Sequence, residues 1–269
     1  MTVEPLQKGG GSGLRQLPIA ARRSCSPRRQ ALSAARSSFH QVLPERYVVS
    51  EWADDFKQRV TRELRSGVEV LDVGAGRTPT IAVEDRPSSS TYVGLDLSAT
   101  ELQLAPAGSY DRIVTADVTD FQADLEERFD LVVCFQVLEH VKPLAAAFDN
   151  MRRYLRPGGH LVAQFSGTFS LFGLANRAVP QWAIQKLVDA ILGGHGYATF
   201  PAYYDQCWAS AIARLLERWQ EFEVEPYYAG LGYFDSLAPL RAGYLAWEQW
   251  TMLHNWTNLA PYYVVDAVR

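Results

Sequence analysis

From about Pro44 the chain alternates between two hydrophobic rhythms. Residues 45–65 place Trp52, Phe56, Val60 and Leu64 four apart, which puts them on one face of a predicted helix. Residues 68–73 then compress Val68, Val70, Leu71 and Val73 into a short apolar run, the pattern of a buried strand. Runs at 91–96, 111–116, 129–135 and 160–165 predict four more strands, with a helix over 143–155 before the last. Strands alternating with helices at this spacing predict a parallel sheet covered on both faces. Beyond Ser166 the rhythm loosens. Helices are expected at 180–192 and 206–219, a strand at 221–228 and a closing strand at 262–268. The fold class read from this order is α/β, a Rossmann-like, seven-stranded, mostly parallel sheet with helices on both faces.

The first strand runs straight into Asp72-Val-Gly74-Ala75-Gly76. Two glycines at a strand end allow a ligand to approach the backbone closely, and a helix start there would aim amides at it. A nucleotide-type cofactor at the carboxyl end of the first strand is the expectation. The dinucleotide pattern G-x-G-x-x-G fails, because Pro79 stands where the third glycine belongs.

Asp96 closes the second strand, Asp117 follows the third, and the fourth leads into Phe135-Gln-Val-Leu-Glu-His-Val141. Leu155-Arg-Pro-Gly-Gly159 precedes the fifth. Taken together, these motifs resemble the class I S-adenosylmethionine-dependent methyltransferases, in the wording of the ubiquinone/menaquinone-type branch, over about residues 45–165. The resemblance implies S-adenosyl-L-methionine as cofactor and assigns roles. The backbone of Gly74, Ala75 and Gly76 would meet the methionine part and Asp72 its ammonium group. Asp96 would accept both ribose hydroxyls, and Leu97 would lie along the adenine. Asp117 would accept from the adenine amino group, and the Val118 amide would read a ring nitrogen. Phe135 and Gln136 would line the methionyl side. His140 is the candidate base for an acceptor that must lose a proton. His195 and Asp205 are weaker candidates, and His254 reads as structural. No metal site is expected.

Composition narrows the partners. Residues 1–40 hold seven basic residues against one acidic, a balance of +6, so the remainder of this −4 chain carries −10. An acidic body argues against nucleic acid. The basic stretch, with Gly9-Gly-Gly-Ser-Gly13, reads as a flexible tail, and residues 41–269 as the methyltransferase domain. Three widely separated cysteines suit a reducing compartment, so the expected location is the cytoplasm; the Arg- and Ser-rich tail also suits an organelle transit peptide. No apolar run is long enough to insert stably in a membrane. The oligomeric state stays open.

Half of the 32 aromatic residues fall after position 199, so recognition of a small-molecule acceptor is assigned there. Residues 166–205 and 229–260 are the expected substrate-cap segments, with Tyr244, Trp247 and Trp250 forming one aromatic helical face. A bulky apolar acceptor or secondary metabolite would suit that lining. Two other classes stay in view: a binding or regulatory protein that kept the fold without catalysis, and a nicotinamide-dependent oxidoreductase.

Overall fold

The computed structural model describes residues 45–47, 50–170, 173, 202–230 and 238–269. Pro44–Arg269 forms one unit, and the proposed tail, the helix at 180–192 and His195 lie outside the described residues. The described residues form seven strands: β1 (Glu69–Val73), β2 (Thr91–Asp96), β3 (Arg112–Thr115), β4 (Phe129–Phe135), β5 (Leu155–Ser166), β6 (Glu221–Tyr227) and β7 (Tyr262–Val268). Their order in the sheet is β3-β2-β1-β4-β5-β7-β6. All neighbours pair in parallel except β7, which runs antiparallel between β5 and β6. The order reverses between β1 and β4, and in open α/β sheets ligands bind at the strand carboxyl ends where that happens.

Among the described residues five α-helices accompany the sheet: α1 (Glu51–Glu63), α2 (Ala99–Gln103), α3 (Leu144–Tyr154), α4 (Ala209–Leu215) and α5 (Ala238–Leu253). One apolar layer joins Phe56 and Val60 of α1 to Val70, Leu131, Val133, Val162 and Val264. The other joins Ala147, Phe148 and Met151 of α3 and Ile212 of α4 to Leu71, Val132, Leu161 and Val265. Alternate side chains of each central strand therefore go to opposite cores, which explains their near-continuous apolar runs. On α1, Arg59 is buried and pairs with Asp55 at 2.8 Å and with Glu223 of β6, pinning that helix to the far edge of the sheet.

Several boundaries differ from the sequence expectation. The first helix begins at Glu51, and Glu45–Tyr47 is a separate 3₁₀ turn. Leu64 lies beyond the helix in extended conformation, so the fourfold spacing overran the last turn. The helix expected at 206–219 shortens to Ala209–Leu215, since Gln206 sits at φ 58°, a left-handed conformation that does not continue a helix. The aromatic face of α5 splits. Tyr244 is buried, while Trp247 and Trp250 are 46% and 40% exposed and pack on each other and on Trp256. Three-residue steps fall about 60° short of a full turn each, so over two steps the side chains spread around the helix.

Candidate functional site

At the carboxyl ends of β1, β2 and β4 lies a cavity of ≈ 400 Å³, within the span of about 300–1,000 Å³ usual for small-molecule sites. Eight residues expected at the cofactor line it, Gly74, Gly76, Asp96, Leu97, Asp117, Val118, Phe135 and Gln136, together with the candidate base His140. Asp72 and Ala75 are not among its lining residues.

The glycine turn is shaped by its surroundings. Gly74 has φ 73° and Gly76 φ 52°, left-handed values that favour glycine. A methyl group on Gly74 would overlap Val137 Cγ2, so the turn after β4 leans directly on the turn after β1. At Gly76 the same methyl would meet nothing closer than Asp96 Oδ2 at 3.8 Å. The Gly76 amide donates to Asp96 Oδ2 at 3.0 Å, and the Ser98 amide donates to Oδ1 at 2.7 Å. Each carboxylate oxygen thus has one backbone donor and keeps further lone-pair capacity for a ligand. Beside it, Leu97 presents a ledge that is 65% exposed. Asp117 serves first as a turn residue, its Oδ1 accepting from the amide and the hydroxyl of Thr119, both at 2.8 Å.

Asp72 departs from its expected role. It is fully buried, and its carboxylate accepts from the Thr80 amide at 2.7 Å, the Thr80 hydroxyl at 2.7 Å and the Tyr92 hydroxyl at 2.7 Å. Burial pushes its pKa up to about 6, with those hydrogen bonds pulling the other way. It braces the far side of the loop rather than facing the cavity. Tyr92 also accepts from the Ile81 amide at 3.0 Å, and Arg86 lies 3.6 Å above its ring.

The opposite wall follows β4. Gln136 takes φ 57°, and its amide side chain donates to Gln164 Oε1 at 2.6 Å while accepting from the Ser166 hydroxyl at 3.3 Å. Phe135 contacts Trp52 and Phe56 of α1. The 3₁₀ turn Leu138–His140 carries a buried Glu139, whose carboxyl is held above the usual range by burial, and the half-buried His140. The Glu139 carbonyl accepts from both the Tyr203 and Tyr204 amides at 2.9 Å, which brings Tyr203 to the cavity rim.

Glu101, Val137 and Lys142 are lining residues that the sequence reading missed, and Tyr203 falls within the expected cap segment 166–205 but was not singled out. Glu101 lies five residues after Asp96, in the first turn of α2; no local pattern marks Tyr203. Among the weaker candidates, Asp205 caps α3 by accepting from the Leu144 amide at 3.0 Å. His254 is exposed, its ring set against Trp250. Among the described residues no group of three or more His, Cys, Asp or Glu side chains could hold a metal ion, and no helix is long and apolar enough to cross a membrane.

A glycine turn at the switch point of the sheet, an acidic residue ending β2, an antiparallel β7 and Pro79 in place of a third glycine fit the class I S-adenosylmethionine-dependent methyltransferases. Over residues 45–220 the sequence matches the model of the methyltransferase-domain family, and the chain belongs to that family. It is 31% identical over 172 residues to a ubiquinone biosynthesis O-methyltransferase of Thiobacillus denitrificans, covering 60% of this chain and 66% of the relative. With the enzyme of the same description from Paraburkholderia xenovorans the identity is 36% over 147 residues, 50% of this chain and 59% of the relative. The matches thus span less than two thirds of these curated relatives. Among solved structures the 4+2 cyclase SpnF superposes with a TM-score of 0.50 at 18% identity, covering 81% of each chain. That likeness concerns the fold, which by itself does not set the chemistry.

Proposed function

We propose that this chain transfers a methyl group from S-adenosyl-L-methionine to a hydroxyl of a small, bulky and largely apolar acceptor. One observation carries the reading: a single cavity runs from the acidic pair Asp96 and Asp117 to Phe135, Gln136 and His140. The residues present suit the cofactor. Asp96 is anchored by two amides and still has acceptor capacity for a hydroxyl pair. Leu97 and Val118 give the adenine apolar walls, Asp117 gives its amino group an acceptor, and the open backbone at Gly76 admits the methionyl part.

Bound S-adenosylmethionine supplies an electrophilic methyl carbon, so the protein's task is orientation and exclusion of water. Phe135 and Gln136 hold the methionyl side. His140, on the rim with Tyr203, receives the proton of the acceptor hydroxyl. The acceptor enters from this rim, beside Tyr203. A hydroxyl acceptor is also what the descriptions of the two O-methyltransferase relatives suggest.

The test pairs binding with turnover. Titration with S-adenosylhomocysteine should show saturable binding that nicotinamide dinucleotides do not compete away. Radiolabelled S-adenosylmethionine should then label phenols and quinols in preference to bulk protein or RNA. Binding without labelling of any hydroxylated acceptor would favour a regulatory protein, and competition by the dinucleotide would favour an oxidoreductase.

A further inference from the structure

The loop after β1 lacks the glycine that would let a helix pack closely behind it, because Pro79 stands there. Two tyrosines support it instead. Tyr92 of β2 holds Asp72, and Tyr110, just before β3, stacks on Tyr92 with ring centroids 6.0 Å apart. Tyr110 reaches the loop only because residue 94 is glycine: a Cβ there would stand 2.8 Å from Tyr110 Cδ1. Its hydroxyl donates to the Ala75 carbonyl at 2.8 Å and lies 3.1 Å from the Gly76 carbonyl.

The Ala75 carbonyl and the Gly76 amide belong to one peptide plane. In a trans peptide these two groups point in opposite directions. The carbonyl end is held by Tyr110 and the amide end donates to Asp96 Oδ2 at 3.0 Å. Tyr110 and Asp96 therefore grip the same plane from opposite sides, and turning the plane would withdraw a donor from Asp96. Tyr110 is not among the residues lining the cavity, so its effect on a ligand passes through this plane.

We propose that Tyr110 is a positioning residue that orients the Asp96 carboxylate towards the cofactor by fixing the Ala75–Gly76 peptide plane, an assignment that rests on the S-adenosylmethionine reading of the cavity. The experiment is calorimetric titration of S-adenosylhomocysteine into wild type, Tyr110→Phe, Asp96→Ala and the double variant. Tyr110→Phe keeps the ring over Gly94 and removes only the hydroxyl. It should raise Kd about 3- to 12-fold, the scale of one well-made hydrogen bond, with a melting temperature close to wild type. In the Asp96→Ala background the same change should raise Kd less than about twofold, because coupled residues are not additive. Gly94→Ala, which displaces the ring, should repeat the Tyr110→Phe loss. An unchanged Kd in Tyr110→Phe, or an equal loss in both backgrounds, overturns the proposal. Failure of wild type to bind S-adenosylhomocysteine overturns the cofactor reading itself, and is seen in the same experiment.

Discussion

The Tyr92 hydroxyl donates to a carboxylate oxygen of Asp72 at 2.7 Å, inside a region from which solvent is excluded. With Thr80 supplying two further donors, the acceptor capacity of Asp72 is turned inward. The acid nearest the glycine turn in sequence thus secures the backbone behind the cavity, and the acid ending β2 faces the cavity itself.

The buried carboxyl makes stability depend on pH in a particular direction. An ordinary aspartate titrates near 3.9, whereas burial lifts Asp72 to about 6. Between these values the native protein binds the proton more readily than the unfolded chain. Its contribution to stability therefore falls as pH rises from about 4 to 6, by about 3 kcal/mol, and the cost is fully present above that window. Asp72→Asn removes the titration. Urea denaturation of both proteins should show the variant gaining on wild type across pH 4–7, and parallel profiles would refute the assignment.

Asp96→Ala should weaken S-adenosylhomocysteine binding by about 1–3 kcal/mol, the range for charge-assisted hydrogen bonds. Calorimetry on a variant with native circular dichroism measures it. Equal affinity would mean that Asp96 does not hold the ribose.

Gly74→Ala combines two costs, a left-handed φ of 73° and overlap with Val137. The first is worth about 1–2 kcal/mol, and the overlap adds to it. Val137→Ala relieves only the overlap. The double variant should therefore be more stable than the sum of the single losses, as read from denaturation midpoints. Additive losses would show that the two turns do not press on each other.

His140→Ala should lower turnover on a hydroxyl acceptor by about 10²–10⁴-fold while leaving S-adenosylhomocysteine affinity near wild type. A loss below tenfold would leave positioning alone as the source of rate.

The sheet was legible because each central strand writes its burial as an apolar run, and because Gly74, Gly76 and Asp96 sit at strand ends that the parallel topology gathers on one side. Tyr110 was not legible. Its partner Gly94 lies on another strand, and a single sequence does not say which loop crosses which backbone. Tyr203 reaches the cavity through the Glu139 carbonyl, a backbone acceptor that leaves no trace in residue identity. The face assigned to Tyr244, Trp247 and Trp250 failed for a geometric reason, since steps of three drift around a helix.

Thr168 ties together the two ends of a long excursion: its amide donates to the Cys207 carbonyl at 2.8 Å and its hydroxyl to the Tyr204 carbonyl at 3.0 Å. Positions 168 and 204, far apart in sequence, are thereby held side by side, next to the Tyr203 that lines the cavity. Where two points of a chain are already tied together, lengthening a flexible connection between them costs little, about 0.6 kcal/mol for each doubling. A sheet joined at such a point should keep its strand order when the length of chain between the two anchors changes.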